Sequence, residues 1–373
     1  MGMIRYKDKV FVLSMSLKNF LFQLVISIQS KCGFKKRKIS NPEKPRFLVV
    51  STTGLGDSLW ATPAIRLLKQ RYPKGHITVF TSPIGNEIFQ NNPWIDELLI
   101  LKRSTFFSCL KLLPICYRKR FEIALMFHAS QRAILPLVVL SGPQIVVGTK
   151  GINKGLDVLL TRGLDNRHVH EIERRLELVE TLEAQSNNKD LELILTKKEH
   201  HQADSFLKEK NIASTSCLVG IHPGSKDPFK RWDQRHFISL GRRLVEAKQA
   251  RILVMGDQKE RLLITSITKN IPGAIAVYEL PIRLVAALIK RCSLMITNDS
   301  GLMHIAYALK IPTFSLFAPT DAKRCGPYHI QHATYIQKNK TCFPCLQKKC
   351  RRPFCLEQIS LEEAWSDVQR MLI

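Results

Sequence analysis

The stretch Phe47–Pro63, FLVVSTTGLGDSLWATP, restricts the fold of this chain more than any other part of it. It begins with an apolar run that is typical of a buried strand. Gly54 and Gly56 then permit a sharp turn, because glycine adopts positive φ at little cost. The apolar residues between Leu59 and Leu68 have helical spacing. These features predict a strand–turn–helix unit, and ligands of open α/β sheets bind at the edge where such turns lie.

Asp57, at the tip of this unit, has two interpretations. It is either the N-cap of the predicted helix, since aspartate is a preferred capping residue, or a catalytic base that faces a cleft. A dinucleotide-binding fingerprint fits poorly. Leu59 stands where its third glycine is required, and the next predicted strand leads into Thr81 rather than into an acidic residue.

The distribution of charge points to an anionic partner. The chain has 373 residues, of which 45% are apolar and 24% charged, so it is globular and long enough for two domains. Its net charge of +26 is uneven: residues 1–46 hold eleven lysines and arginines, and no acidic residue occurs between Asp321 and Glu357. Such segments suit nucleic acid, an acidic membrane or a phosphorylated substrate, and a merely solvated basic surface is the alternative.

Residues 1–45 have the composition of an appendage. Val10–Ile28 is mostly apolar but is interrupted by polar residues, whereas a spanning helix needs about 20 predominantly apolar residues. We predict a helix at a membrane interface, followed by the basic run Lys35–Lys38. An additional helix packed on the first domain is the alternative interpretation.

Residues 46–200 and 214–373 each alternate short apolar runs with helically periodic segments, which predicts two doubly wound, Rossmann-like α/β domains. The last helix is indicated by a capping box, Ser360-x-x-Glu363. The predicted strands are Phe47–Val50, Ile77–Phe80, Leu98–Leu101, Ile123–Phe127, Ile145–Val147, Cys217–Ile221, Ile252–Met255, Ala274–Val277, Leu294–Thr297 and Thr313–Phe317.

Three polar clusters follow strands of the second domain. Asn298-Asp299-Ser300-Gly301-x-x-His304 opens a helix, whose N-terminus suits a phosphate; a capped helix with a buried histidine is the alternative. His222-Pro223-Gly224-Ser225 precedes Lys230, which is either a charge for a phosphate or a solvated side chain. Glu260 is either an acceptor for sugar hydroxyls or a surface glutamate.

Four of the ten cysteines lie close together in the basic tail, as Cys342, Cys345, Cys350 and Cys355. Four thiolates at short spacing suit tetrahedral zinc, so we predict either a structural zinc site or reduced thiols, with a disulfide less favoured. The other six are scattered and no cleavable signal peptide is evident, which favours a reducing compartment.

Together these segments resemble glycosyltransferase family 9, the bacterial heptosyltransferases of lipopolysaccharide core synthesis. The resemblance covers residues 46–373 and rests on the order of GLGDSLWATPAIRLLKQRYP, HPGS with KRWD, MGDQKE, NDSGLMHIA and FAPTDAKRCGPY. It implies a GT-B fold, in which two facing Rossmann-like domains enclose a cleft. It also implies an inverting transfer of a heptose from a nucleotide sugar, expected to be ADP-heptose, to a lipid-linked acceptor.

The resemblance further assigns roles to single residues. Asp57 matches the catalytic base, and Lys230 matches the residue that neutralises the leaving diphosphate, so no metal or other cofactor is expected in catalysis. Glu260 matches a ribose contact and Asp299 a residue near the donor sugar. The phosphate-side positions are matched by Gly224, Ser225, Ser300, Gly301 and His304.

The expected partners are therefore a nucleotide-sugar donor, an anionic lipid-linked oligosaccharide acceptor and the inner face of the cytoplasmic membrane. Two alternatives remain open. A nucleic-acid-binding protein with a zinc module agrees with the charge and the cysteines but lacks an evident recognition signature, so we expect no nucleic acid. A sugar-nucleotide epimerase of similar two-domain build is the other.

Overall fold

The computed structural model describes residues 38–102, 106–185, 187–328 and 331–372. The chain folds into two compact units. The first comprises the described residues up to Phe89 together with Pro93–His168 and Ile172–Asn187. The second comprises Gln90–Asn92, Val169–Glu171 and the residues from Asn188 onward. The predicted interfacial helix, within residues 1–37, lies outside the described residues.

The first unit is built on a six-stranded parallel sheet with the strand order β3-β2-β1-β4-β5-β6. Its strands are β1 (Arg46–Ser51), β2 (His76–Thr81), β3 (Glu97–Ile100), β4 (Ile123–His128), β5 (Ile145–Thr149) and β6 (Arg162–Leu164). Its helices are α1 (Leu55–Arg71), α2 (Pro83–Phe89), α3 (Phe106–Arg118), α4 (Ile134–Leu140) and α5 (Glu171–Glu180), the last beginning at the boundary between the units.

The second unit repeats this plan with the order β12-β11-β10-β7-β8-β9, again all parallel. Its strands are β7 (Leu218–His222), β8 (Arg251–Met255), β9 (Ile275–Val277), β10 (Leu294–Asn298), β11 (Thr313–Phe317) and β12 (Ala333–Gln337). Its helices are α6 (Lys197–Glu209), α7 (Gln234–Lys248), α8 (Arg261–Lys269), α9 (Ile282–Ile289), α10 (Gly301–Ala308), α11 (Ala322–Cys325), α12 (Phe354–Glu357) and α13 (Leu361–Met371).

Each sheet reverses its winding direction at one point. In the first unit the chain passes from β1 outward through β2 to β3, and then returns to place β4 on the other side of β1. In the second unit the equivalent neighbours are β7 and β10. Connections leave such a pair of strands in opposite directions, and ligands of doubly wound sheets bind in the crevice that results. Both units therefore have a switch point at the carboxyl edge of their central strands.

All ten predicted strands are present, and their apolar character follows from burial on both faces. Residues Phe47–Val50 of β1 are fully buried, as expected for the centre of a parallel sheet. The edge strands β6 and β12 were not predicted. β12 has one buried side chain, Ile336, so its sequence lacks the apolar run that identified the others. No helix in the described parts of the chain is long and apolar enough to cross a membrane.

A largely buried ion pair inside the second unit supports the first testable prediction. Glu199, in the first turn of α6, pairs with Arg283 of α9, and little of either side chain is exposed. Burial raises the pKa of Glu199, but hydrogen bonds from Arg283 and from Thr196 outweigh this effect and lower it to about 2. Thr196 caps the same helix, so the ion pair connects the start of α6 to α9.

Arg283→Met is expected to lower the free energy of unfolding by about 3 kcal/mol, because it leaves a largely buried carboxylate without its partner. Urea unfolding of the whole chain measures this. Since the pKa of Glu199 is lowered in the folded state, its contribution is complete above the ordinary value of 4.5 and is lost as pH falls toward about 2. An unchanged unfolding midpoint at pH 7 would contradict the prediction.

Candidate active site

Asp57 lies beside the switch point of the first unit, in the first turn of α1 after β1. The N-cap of α1 is Gly54, whose backbone N–H donates to Asp57 Oδ2 at 3.3 Å. The interpretation of Asp57 as the N-cap is therefore wrong, because its carboxylate closes the turn from the third helical position. A negative charge at this position is stabilised by the helix dipole.

Arg175 holds the other oxygen of this carboxylate. Its guanidinium Nη2 donates to Asp57 Oδ1 at 3.1 Å, and its side chain is fully buried while that of Asp57 is 25% exposed. The same guanidinium lies 5.5 Å from the ring centre of Trp60. One face of the ion pair is thus closed by protein, and the carboxylate keeps some contact with solvent.

The surroundings of Asp57 keep it ionised. Burial raises its pKa, but the charges of Arg175 and His128 and the hydrogen bond from the backbone N–H of Gly54 lower it below the ordinary value of 3.8. His128 is the last residue of β4, so this contribution comes across the switch point. An ionised carboxylate at neutral pH is available as a base, although a weak one that must act through position as well as basicity.

The switch point of the second unit is bridged by a histidine at the end of β7. His222 Nδ1 lies 2.9 Å from Ser300 Oγ, and His222 Nε2 lies 3.3 Å from Glu260 Oε2. Ser300 follows β10 and is the N-cap of α10, where its hydroxyl accepts from the backbone N–H of Met303. The three strand ends of β8, β7 and β10 are thereby joined in one polar network.

Glu260 is buried, so its interpretation as a surface glutamate is wrong. Two glycines make room for it: a Cβ at Gly224 would come within 2.0 Å of its carboxylate, and one at Gly256 within 2.6 Å. Arg231 also contacts Glu260, at 3.4 Å. Burial raises the pKa of Glu260, but the hydrogen bond and charge of His222 outweigh this and lower it. Glu260 is therefore an anion in a closely fitted position.

Lys230 and Asp299 form a second ion pair at this edge of the sheet. Lys230 Nζ lies 2.7 Å from Asp299 Oδ2, with side chains only 18% and 8% exposed, so the interpretation of Lys230 as a solvated residue is wrong. Thr320, after β11, donates to the same oxygen at 2.6 Å. Ser225 donates to the backbone carbonyl of Asp299 at 3.1 Å.

The structure thus brings most of the predicted residues of the second unit to one sheet edge, and places the others next to them. Gly301 is the first residue of α10. His304, one turn further on, is buried beside Tyr307, with ring centres 6.0 Å apart, as the alternative of a buried histidine predicts. The residues that the sequence did not single out are Trp60, His128, Arg175 and Thr320, whereas His222 and Arg231 lie in the predicted cluster but were given no role.

The four tail cysteines are free thiols that line one pocket of about 500 Å³, together with Phe229 and Pro319. Within the described residues, no group of three or more cysteine, histidine or acidic side chains is arranged to hold a metal ion. The structure therefore does not show the zinc site predicted for Cys342, Cys345, Cys350 and Cys355, and no disulfide joins these four cysteines. Burial raises the pKa of the Cys355 thiol.

Two doubly wound sheets, each with polar groups at its switch point, are the architecture of a GT-B glycosyltransferase. The family model of glycosyltransferase family 9 (heptosyltransferase) matches residues 120–355, and the chain belongs to this family. It is similar to lipooligosaccharide heptosyltransferase 2 of Campylobacter jejuni, with 24% identity over 330 residues that cover 86% of this chain and 96% of that protein.

Solved structures agree on the fold. The glycosyl transferase family 9 protein of Veillonella parvula superposes with a TM-score of 0.80 at 21% identity, covering 90% of this chain and 99% of that one. The ADP-heptose lipopolysaccharide heptosyltransferase II of E. coli gives a TM-score of 0.71 at 20% identity, covering 88% and 98%. The prediction of an α/β GT-B fold is confirmed.

Proposed function

We propose that this protein transfers a heptose from ADP-heptose to the lipopolysaccharide core or a related lipid-linked acceptor, with inversion at the anomeric carbon. Membership of the family gives the reaction class. The observation that carries the mechanism is the content of the two switch points: one holds a lone ionised carboxylate, and the other holds a lysine, a serine-capped helix and a buried glutamate.

In this mechanism Asp57 accepts the proton of the acceptor hydroxyl as the oxygen attacks the anomeric carbon. The bond from that carbon to the nucleotide diphosphate breaks on the opposite face, and its electron pair leaves with the diphosphate. Lys230 and the N-terminus of α10 stabilise the charge that develops there. Because the protein itself would stabilise this negative charge, we propose that transfer requires no metal ion.

The remaining residues of the second switch point would bind the donor. Backbone N–H groups at the start of α10 suit its phosphates, beside Ser225 and Ser300. We also assign Gly224, Gly301 and His304 to the part of the proposed site that lies next to the donor phosphates. Glu260 would accept from the ribose hydroxyls, and Asp299 would contact the sugar. We also propose that the protein works at the inner face of the cytoplasmic membrane, where a lipid-linked acceptor is available.

Transfer of label tests the reaction. Purified protein is incubated with ADP-heptose labelled in the sugar and with a heptose-deficient lipopolysaccharide, and label is followed into the lipid fraction. UDP- and GDP-sugars serve as donor controls. Acceptor-dependent transfer from ADP-heptose is the expected result. Conversion of the free nucleotide sugar without an acceptor would indicate an epimerase instead, and absence of both reactions would refute the proposal.

Replacement of Arg175 tests whether this residue sets the pKa of the proposed base, Asp57. A purely structural role of Arg175 would not move the pH profile. Arg175→Met is expected to lower transfer at acid pH and to spare it at pH 7, because burial then raises the pKa of Asp57 without opposition from the guanidinium, and a carboxyl shifted upward from below 3.8 by about one unit is still ionised at pH 7. The acid limb of the kcat/KM profile should move upward by roughly one pH unit or more, and activity should recover at higher pH. Arg175→Lys, which keeps the charge, should show a smaller shift. Loss of activity with an unmoved pH profile would assign Arg175 a purely structural role.

A further inference from the structure

The cysteine-containing tail holds a group of strongly exposed large apolar side chains. In the described residues, five large apolar side chains are more than half exposed, and three of them lie in the twelve-residue stretch of the tail from 343 to 354. Phe343 is fully exposed, and Leu346 and Phe354 are each 53% exposed. The other two, Val158 and Leu262, are isolated in sequence. Scattered exposed apolar residues are normal, whereas a cluster marks an interaction surface.

Positive charge surrounds this cluster. Lys340, Lys349 and Arg351 are exposed and line the same pocket as Leu346 and Phe354. None of these three cations has an ion-pair partner within the described residues, and the sequence has no acidic residue between Asp321 and Glu357. Arg352, by contrast, pairs with Glu357 at 2.7 Å. We name the six residues Lys340, Phe343, Leu346, Lys349, Arg351 and Phe354 the tail surface.

The tail surface is attached to the folded core beneath it. Cys355, Leu356 and Ile359 are buried in the core of the second unit. Trp232 Nε1 donates to the carbonyl of Ile359 at 3.0 Å, and Lys338 pairs with Glu363 at 2.7 Å. The segment is therefore held at one end by an ion pair and at the other by core contacts, while its aromatic and basic side chains are exposed.

The chemistry of this surface favours one occupant, an anionic phospholipid bilayer. Apolar side chains with basic residues between them suit the boundary of acyl chains and headgroups, where rings enter the apolar layer and cations meet phosphates. A nucleic acid would use the cations but would leave Leu346 and Phe354 uncovered. We propose that the tail surface docks this protein on an anionic membrane, inserting Phe343, Leu346 and Phe354 at the interface.

This inference rests on the membrane location proposed above but not on the sugar transfer. A position-specific probe distinguishes the tail from the N-terminal segment. Phe343→Trp and the control Leu262→Trp, each in the full chain, are mixed with phosphatidylglycerol vesicles that contain brominated acyl chains. Leu262 is 86% exposed on α8 and does not line the tail pocket. After subtraction of the four native tryptophans, emission from residue 343 should be quenched and that from residue 262 should not.

Binding variants supply the second measurement. Replacement of all three apolar residues by serine, or of the three cations by glutamate, should each weaken sedimentation with phosphatidylglycerol vesicles at least tenfold relative to the wild-type chain. Leu262→Ser should bind like the wild type. Binding to pure phosphatidylcholine should be weak, and salt should weaken binding to phosphatidylglycerol.

The results separate this proposal from the proposed function. All tail variants should retain transfer to a short, water-soluble acceptor, since none of the six residues belongs to the proposed active site. Equal quenching at positions 343 and 262, or wild-type vesicle binding by the serine variant, would overturn the docking proposal and leave the transferase proposal untouched. Loss of transfer to the soluble acceptor would also overturn it, by assigning the segment to catalysis.

Discussion

We expect Asp57→Ala to lower the kcat of sugar transfer by a factor of about 10² or more and to leave the affinity for the donor largely unchanged. The carboxylate is the proposed acceptor of the hydroxyl proton, and its pKa is held below the ordinary range, so it is charged when the acceptor binds. The donor would bind at the switch point of the second unit, which this substitution does not touch. Steady-state kinetics and calorimetric titration of the donor measure the two effects separately.

Two controls accompany this variant. Asp57→Asn keeps the shape of the side chain and should lose nearly as much kcat as the alanine variant. Because both remove the Asp57 carboxylate that lies beside the buried Arg175, thermal unfolding is compared in parallel. Asp165→Asn, at an 84% exposed aspartate of the same unit, should leave kcat unchanged. Near-wild-type turnover in a folded Asp57→Ala protein would refute the assignment of the base.

Lys230→Met is the second large effect, with an expected loss of about 10²–10³ in kcat. Charge develops on the departing diphosphate in the transition state, and an ammonium in a largely buried position stabilises it more than one in water would. Donor affinity should also fall, though less than kcat. Lys230→Arg, which keeps the charge with a different shape, should recover part of the loss.

Lys269→Met provides the matched control, since Lys269 is exposed at the end of α8. It should behave like the wild type in both kcat and donor affinity. If Lys230→Met weakened donor binding but left kcat intact, the lysine would be a ground-state contact and not a stabiliser of the leaving group. Magnesium added to the Lys230→Met protein should not restore activity if the protein alone meets this charge.

Sequence patterns identified the parallel sheets because central strands are buried on both faces and read as continuous apolar runs. They also located the candidate residues that follow strands, such as Asp57 and Ser300, because parallel strands end at one edge. Arg175 was not identified, since its partner is 118 residues away in the chain. A signal was present: Arg175 lies on the apolar face of α5, between Ile172 and Val179.

Exposure was harder to predict than position. Lys230 and Glu260 each had a solvated interpretation, which is the usual state of such residues. Both are largely buried because residues distant in sequence supply partners: Asp299 pairs with Lys230, while Arg231 pairs with Glu260 and His222 lies at hydrogen-bond distance from it. Charge complementarity of this kind depends on which strands become neighbours, and a single strand-end motif does not contain that information.

The fit of Glu260 between Gly224 and Gly256 has a consequence for how this family can vary. A methyl group at position 224 would displace a carboxylate that is held by His222, Arg231 and the backbone N–H of Asp257. The cost of such a change therefore depends on the length of the acid at 260, and substitutions at these positions are not additive. Homologues that lack glycine at position 224 or 256 should carry a residue shorter than glutamate at position 260. We therefore expect the three positions to covary among homologues.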